Sequence, residues 1–125
     1  MKINNLMFQI EILILDSNNT FGGSLSINLP EMPYSFKKVG SPDDVLKAIE
    51  LTDYAVVILN AENNCEHTPE LIKKIRRRCP DTTIIVITSP LYRSIASEAI
   101  SAGAADCLFT PVADNILLSK IISIC

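Results

Sequence analysis

The sequence predicts an α/β domain in which a five-stranded parallel sheet is flanked by five helices as a three-layer sandwich. Apolar runs of strand length alternate with longer amphipathic segments from one end of the chain to the other. Each connection between strands contains a predicted helix, so the strands should run parallel with right-handed crossovers. The chain has 125 residues, close to the commonest domain size, and we expect one domain over residues 1–125.

The first half of the chain contains two predicted strands and two predicted helices. Phe8 to Leu15 is the first strand, and capping side chains after Asp16 begin a helix that two glycines weaken. Tyr34 to Val39 is the second strand, and its lysines suit the edge of a sheet. Ser41 is placed to cap the next helix, with Pro42 in its first turn.

The third strand, Tyr54 to Leu59, is the least polar, which predicts a central position in the sheet. It ends at Asn60. Thr68 is predicted to cap the next helix, and Pro69 lies in its first turn. On that helix the spacing predicts four inward-facing residues, Leu71, Ile72, Ile75 and Cys79.

The last part of the chain repeats this pattern. A buried strand from Ile84 to Ile87 ends at Thr88, and Ser89 should cap a helix that ends at Gly103. The residues of this helix predicted to face inward are Leu91, Ile95, Ala99 and Ala102. A short fifth strand begins at Asp106, and a final helix extends to Cys125.

Composition and charge narrow the class of protein. Hydrophobic residues make up 48% and charged residues 20% of the chain, which is typical of a compact globular domain. The net charge of −3 provides no general attraction to nucleic acid or to an anionic membrane. Polar residues interrupt the apolar N-terminus, so the sequence predicts neither a signal peptide nor a membrane span. We therefore expect a cytoplasmic protein that does not bind a membrane, and we do not expect this domain itself to bind nucleic acid.

The four cysteines and the single histidine leave a metal site as an alternative. Cys65, Cys79, Cys107 and Cys125 contain no CxxC pair, a pattern that suits reduced thiols. Cys65, His67 and Cys79 form a conceivable zinc site, although their spacing matches no standard zinc pattern. The main prediction is that these residues bind no metal.

Polar residues stand at the ends of four of the predicted strands. In chain order they are Asp16, Ser17, Asn60, Thr88, Ser89 and Thr110. Parallel strands bring their carboxyl ends to one edge of the sheet, where α/β proteins bind ligands. We therefore expect these side chains to lie close together.

Nearly the whole chain resembles the receiver domain of bacterial response regulators, which has a flavodoxin-like fold. The resemblance rests on ILILDSNNT, YAVVILN, IIVITS and SAGAADCLFTP, in the family's order and spacing. In that family an acidic pair and an aspartate hold Mg²⁺, the aspartate accepts a phosphoryl group, and a hydroxyl residue and a lysine bind its oxygens. The resemblance places the acidic pair at Asp16 and Ser17, the phosphoacceptor at Asn60, the hydroxyl at Thr88 and the lysine at Thr110.

Three of these five positions depart from the family's chemistry. The amide of Asn60 is not a nucleophile comparable to a carboxylate. Ser17 and Asn60 leave one carboxylate where the family has three, so we expect no bound metal. Thr110 has no positive charge to stabilise a transferring phosphoryl group. We therefore expect a pseudo-receiver that is neither phosphorylated nor catalytic and that needs no cofactor.

The resemblance also directs attention to the output surface. Cys107 stands where the family usually has an aromatic residue that takes part in the switch. Leu118 and Ile122 lie four residues apart, away from the predicted inward stripe of the final helix. We expect the fourth helix, fifth strand and fifth helix to form a homodimer face, or to contact a protein partner such as a downstream output domain. The function implied is that of an interaction module in signal transduction or transcription regulation.

Two other sequence features leave alternatives open. The segment DSNNTFGGS combines hydroxyls and glycines between a strand and a helix, as a phosphate-binding turn does, so a flavodoxin-like protein that binds flavin or a nucleotide is the alternative function. The basic cluster from Lys73 to Arg78 is interpreted as a solvated helix face with Lys73, Lys74, Arg76 and Arg77 outward. Contact with nucleic acid or with an acidic partner remains open for it.

Overall fold

The computed structural model describes residues 10–16, 34–61, 67–110, 116 and 119–120. The five strands are β1 (Ile10–Leu15), β2 (Tyr34–Val39), β3 (Val56–Asn60), β4 (Thr83–Thr88) and β5 (Asp106–Phe109). The α-helices of the described ranges are α1 (Pro42–Leu51), α2 (Thr68–Arg78) and α3 (Arg93–Ala102), and a 3-10 turn (Pro90–Tyr92) precedes α3. The predicted first helix lies outside the described residues, and of the predicted final helix only residues 116, 119 and 120 are described, as helical.

The strands form one parallel sheet in the order β2-β1-β3-β4-β5, which confirms the predicted α/β class. β3 lies at the centre, and Val56, Val57 and Ile58 are completely buried. A strand covered on both faces needs apolar side chains in both directions, and β3 has them. β2 is an edge strand whose Lys37 and Lys38 are exposed, as its sequence predicted.

The core occupies both faces of the sheet. On one face α1, α2 and α3 cover the strands, and the helices contribute Val45, Ile72, Ile75 and Ile95 among others. On the opposite face, six residues of the described ranges are completely buried: Ile12, Ile14, Val56, Ile58, Ile85 and Ile87. Alternate residues of β1, β3 and β4 belong to opposite faces, as the two-residue period of a strand requires.

The helix α1 begins at the predicted cap residue, whereas α2 does not. Ser41 caps α1, since its Oγ accepts a hydrogen bond from Asp44 N at 3.2 Å. The prediction that Thr68 caps α2 is wrong, because His67 is the N-cap residue and its side chain makes no capping hydrogen bond. Thr68 is instead the first residue of the helix and is buried beneath it.

The segment before α3 also differs from its prediction. Ser89 caps the 3-10 turn, accepting from Leu91 N at 3.2 Å, and the α-helix begins only at Arg93. Leu91 was predicted to face inward, but it is 87% exposed because the tighter turn changes the direction of its side chain. Ile95 and Ala99 are buried as predicted, and Gly103, with φ of 125°, ends α3.

Arg76 departs from the outward position predicted for it. It is partly buried between the ends of α2 and α3. Its Nε donates to Gly103 O at 3.0 Å and its Nη1 donates to Pro80 O at 2.9 Å. Carbonyl groups past a helix end lack partners within the helix, and a guanidinium can satisfy two of them at once.

Candidate functional site

The carboxyl edge of the sheet brings Asp16 and Asn60 into contact. Asp16 follows β1 and is held by its backbone N–H, which donates to Val39 O at 3.0 Å. Its side chain is 4% exposed. Asn60 ends β3, the neighbouring strand, and its Nδ2 donates to Asp16 Oδ1 at 3.1 Å. The family's pattern has three carboxylates at this edge, and the resemblance leaves only Asp16 of them in this sequence. The amide of Asn60 is bonded to that carboxylate.

Thr88 ends β4 and contributes a completely buried hydroxyl. Its Oγ1 is the one buried side-chain nitrogen or oxygen in the described ranges without a hydrogen-bond partner. Its backbone carbonyl accepts from Thr110 N at 2.8 Å, which places Thr110 at the same edge. An unsatisfied buried hydroxyl is costly, so it marks a position whose residue type is not explained by packing alone.

Of the five pocket positions in the family's pattern, the structure therefore describes four at one edge. Asp16 and Asn60 are bonded to each other, and the backbones of Thr88 and Thr110 are bonded to each other. Ser17 lies outside the described residues. Among the described residues no group of three or more His, Cys, Asp or Glu side chains is arranged to hold a metal ion.

The cavity beside Asn60 is small. Its volume is about 60 Å³, and the residues that line it are Leu15, Pro42, Leu59, Asn60, His67, Thr68 and Leu71. Pockets for flavins and comparable ligands have volumes of roughly 300–1,000 Å³. This cavity is therefore smaller than a flavin pocket, and the segment on which that alternative rested lies outside the described residues except for Asp16.

The zinc alternative is wrong for His67 and Cys79. His67 is the residue before α2 and Cys79 is the residue after it. An eleven-residue helix with a rise of 1.5 Å per residue separates its ends by roughly 16 Å. Two ligands of one zinc ion lie about 2 Å from the metal, so these side chains cannot share it. Cys65 lies outside the described residues.

Cys107 lies on β5, next to α3, and is partly buried. Burial, together with the negative charge of Asp106, raises the pKa of the Cys107 thiol above its usual value. The same Asp106 accepts from Cys107 N at 2.8 Å and forms an ion pair with Lys120 Nζ at 2.6 Å. The residue that the resemblance places at the switch-aromatic position is therefore a thiol whose pKa is raised.

The surface of α3 and β5 exposes large apolar side chains that sequence reasoning missed. Ile100 of α3, Phe109 of β5 and Ile116 of the final helix are 48%, 40% and 51% exposed. Ile100 lines a groove of about 460 Å³ together with Ala96 and Cys107, among others. Leu118 and Ile122 lie outside the described residues. An aromatic residue on the edge strand was a signal available in the sequence, but its exposure depends on how far neighbouring helices cover it.

The fold and the composition of this edge define a class of protein. A five-stranded parallel sheet in this order, with polar side chains at its carboxyl ends, is the architecture of receiver domains in two-component signalling. The chain belongs to the response regulator receiver domain family, whose model matches residues 12–122. No helix within the described ranges is long and apolar enough to cross a membrane.

Solved structures of receiver domains are similar in fold. A response regulator from Thermotoga maritima superposes with a TM-score of 0.83 at 17% identity, covering 94% of this chain and 98% of that one. The signal receiver domain of an HD domain-containing protein from Pseudomonas fluorescens gives a TM-score of 0.81 at 25% identity, covering 92% and 93%. A response regulator from Burkholderia pseudomallei, solved with a phosphorylated aspartic acid, a calcium ion and citrate, gives 0.76 at 21%, covering 91% and 71%. No curated protein sequence matches the chain.

Proposed function

We propose that this receiver domain transmits its signal without being phosphorylated. The observation that carries the proposal is the hydrogen bond from Asn60 Nδ2 to Asp16 Oδ1 at 3.1 Å. The resemblance assigns the phosphoacceptor to Asn60. An amide there offers no anionic oxygen to attack phosphorus, and its NH₂ group occupies an oxygen that a metal ion would need.

The surroundings of Asn60 support the same conclusion. Thr110, at the position of the family's lysine, has no charge to stabilise a transferring phosphoryl group. Asp16 is the one carboxylate left in the assigned set, and Mg²⁺ prefers several hard oxygen ligands. The Burkholderia relative contains a phosphorylated aspartic acid and a calcium ion, whereas this chain has an amide at the assigned position.

The role proposed for the domain is that of a non-enzymatic interaction module in the cytoplasm, within signal transduction or transcription regulation. The surface of α3, β5 and the final helix exposes three large apolar side chains, Ile100, Phe109 and Ile116. Exposed apolar patches mark protein contacts. We assign this surface, extended by Leu118 and Ile122, to a homodimer or to an output domain. A pocket without a phosphorylation switch requires that the contact be constitutive, and no cofactor is needed for it.

The decisive experiment is a phosphorylation assay. The protein is incubated with acetyl phosphate and Mg²⁺, and its intact mass is recorded, with a phosphorylatable receiver domain treated in parallel. The expected result is an unchanged mass for this protein and an added phosphoryl group on the parallel sample. Added phosphoryl mass that maps by peptide analysis to the pocket around Asn60 would overturn the proposal.

The variant Asn60→Asp/Thr110→Lys tests the physical reason. It restores the nucleophile and the cation at their assigned positions, so it should gain phosphoryl mass under conditions that leave the natural sequence unmodified. A natural protein that is modified as readily as this variant would show that neither residue is what prevents the reaction.

A further inference from the structure

The helix α2 carries a charge opposite to that of the rest of the protein. Its eleven residues include five basic side chains and one acidic side chain, Glu70, a net charge of +4. Because the whole chain has a net charge of −3, the remaining residues together carry −7. Such an asymmetry creates a local field that steers a small anionic partner to one place on the surface.

Two of the five cations are engaged within the protein. Arg76 donates to the carbonyl groups of Gly103 and Pro80. Arg78 forms an ion pair with Glu50 at the end of α1. These contacts satisfy the side chains nearest the neighbouring helices, and they hold the C-terminal end of α2 in place.

The other three cations, Lys73, Lys74 and Arg77, are exposed. None of them forms an ion pair with a described residue, and Glu70, one turn before the two lysines, is not within bonding distance of either. Residues three and four apart share one face of a helix, so the three charges lie together within about one turn, roughly 6 Å along the axis. We define these three residues as the α2 basic face.

Each lysine of the α2 basic face borders a groove. Lys73 lines a groove of about 340 Å³ between α2 and α3, and Lys74 lines one of about 420 Å³ between α1 and α2. The second groove also contains apolar surface from Leu46 and Leu71. A partner segment that lies along α2 would therefore contact the cations in the middle, and its side chains could enter the groove on each side of the helix.

We propose that the α2 basic face docks a short acidic segment of a protein partner, at a surface distinct from the α3 and β5 surface assigned above. Charge complementarity supports a carboxylate-bearing partner. The size of the face excludes an extended polyanion: DNA or an anionic membrane would extend beyond one helical turn and meet the acidic side chains beside the lysines, which are Glu70 of α2 itself and Asp43 and Glu98 of the neighbouring helices. A short segment avoids that repulsion when its carboxylates, one turn apart, lie over the three cations and its uncharged side chains enter the two grooves.

The test is an NMR titration of the full chain with a short helical peptide that carries glutamate at every third or fourth position. We expect saturable, salt-sensitive shifts of backbone amides centred on residues 73–77. A peptide with glutamine in place of glutamate should produce no shifts there. The double variant Lys73→Glu/Arg77→Glu should weaken binding about tenfold or more, because it replaces attraction by repulsion at two contacts.

The matched control is Lys47→Glu/Arg93→Glu, which changes the net charge by the same amount at two exposed cations outside the α2 basic face. It should bind the glutamate peptide within about twofold of the natural protein, and circular dichroism checks that both variants are folded. Absence of shifts, or an equal loss of binding in both variants, would refute the proposal. Tighter binding of duplex DNA or of phosphatidylserine vesicles than of the peptide would also refute it.

Discussion

Asn60 Nδ2 and Asp16 Oδ1 lie 3.1 Å apart and join the ends of β3 and β1 by a hydrogen bond. The bond has one direction only, because an ionised carboxylate can only accept and the NH₂ of an amide can only donate. An aspartate at position 60 would place a second carboxylate against a side chain that is 4% exposed. The natural asparagine thus avoids placing two carboxylates against each other at this edge.

The first prediction concerns the replacement Asn60→Asp. It should lower the free energy of unfolding by about 1–2 kcal/mol near pH 7 without Mg²⁺, because a donor is lost and two negative charges are brought together. Mg²⁺ should stabilise the variant more than the natural protein, since two carboxylates are better ligands than one.

Urea denaturation near pH 7, with and without Mg²⁺, measures both effects. The natural protein under the same conditions is the control. A variant as stable as the natural protein near pH 7 without Mg²⁺ would contradict the account of the Asp16 and Asn60 contact.

The second prediction concerns the hydroxyl of Thr88, which is buried and has no hydrogen-bond partner among the described residues. Thr88→Val replaces it by a methyl group of similar size, so we expect the free energy of unfolding to rise by about 0.5–2 kcal/mol. Thr82 is the matched control, because it is also buried but its Oγ1 donates to Tyr54 O at 2.9 Å. Thr82→Val should lower the free energy of unfolding by about 1 kcal/mol. Destabilisation by Thr88→Val as large as that by Thr82→Val would show that its hydroxyl is satisfied in solution.

The sequence predicted the sheet well because its strands are so apolar that only a buried position fits them. Val56 to Leu59 have no polar residue, so a central, doubly covered strand was the consistent prediction, and the structure confirms it. The proximity of Asp16 and Asn60 followed from parallel strands that end at one edge. Their direct hydrogen bond did not follow, because strand ends that meet at an edge do not determine which side chains face each other.

The errors fall where tertiary contacts override local signals. Thr68 has the residue type of a cap, but the packing of α2 places its side chain in the core and leaves the cap position to His67. Leu91 has helical spacing from Ile95, yet a 3-10 turn intervenes and exposes it. Arg76 lies in a run of basic residues, and only the approach of the end of α3 shows that it binds carbonyl groups. None of these contacts can be obtained from spacing alone.

The third prediction concerns the reactivity of Cys107. Burial and the charge of Asp106 raise the pKa of this thiol, and the thiolate is the reactive form. Cys107 in the folded protein should therefore be alkylated more slowly at mildly alkaline pH than in the urea-unfolded protein. Asp106→Asn should lower the pKa and speed alkylation at a given pH, whereas Asp44→Asn, on α1 and exposed, should not change it. Peptide mapping by mass spectrometry separates Cys107 from the other cysteines.

The same shift has a consequence for stability. A thiol with a raised pKa in the folded state ionises first in the unfolded state. Its contribution to the free energy of unfolding is therefore complete below the usual pKa of a thiol, and it is lost as the pH rises from that value through the raised pKa. Replacement by Cys107→Ser should reduce that alkaline decline. Equal alkylation rates for Cys107 in the folded and unfolded protein would contradict the prediction.

The last prediction is that the domain self-associates through α3, β5 and the final helix. The exposed apolar side chains Ile100, Phe109 and Ile116 lie on these three elements, and the ion pair between Lys120 and Asp106 places the final helix against β5. Size-exclusion chromatography with light scattering should give a dimer mass at high micromolar concentration.

Four replacements on this face should each shift the protein toward monomer, because a buried charge without a partner opposes association. They are Phe109→Glu, Ile116→Glu, Leu118→Glu and Ile122→Glu. Leu51→Glu is the matched control, since Leu51 is an 84% exposed apolar residue on α1, outside the proposed face, and its replacement should leave the mass unchanged. A monomer at every concentration, unaffected by any of the four replacements, would reject the dimer and assign this apolar surface to an output domain instead.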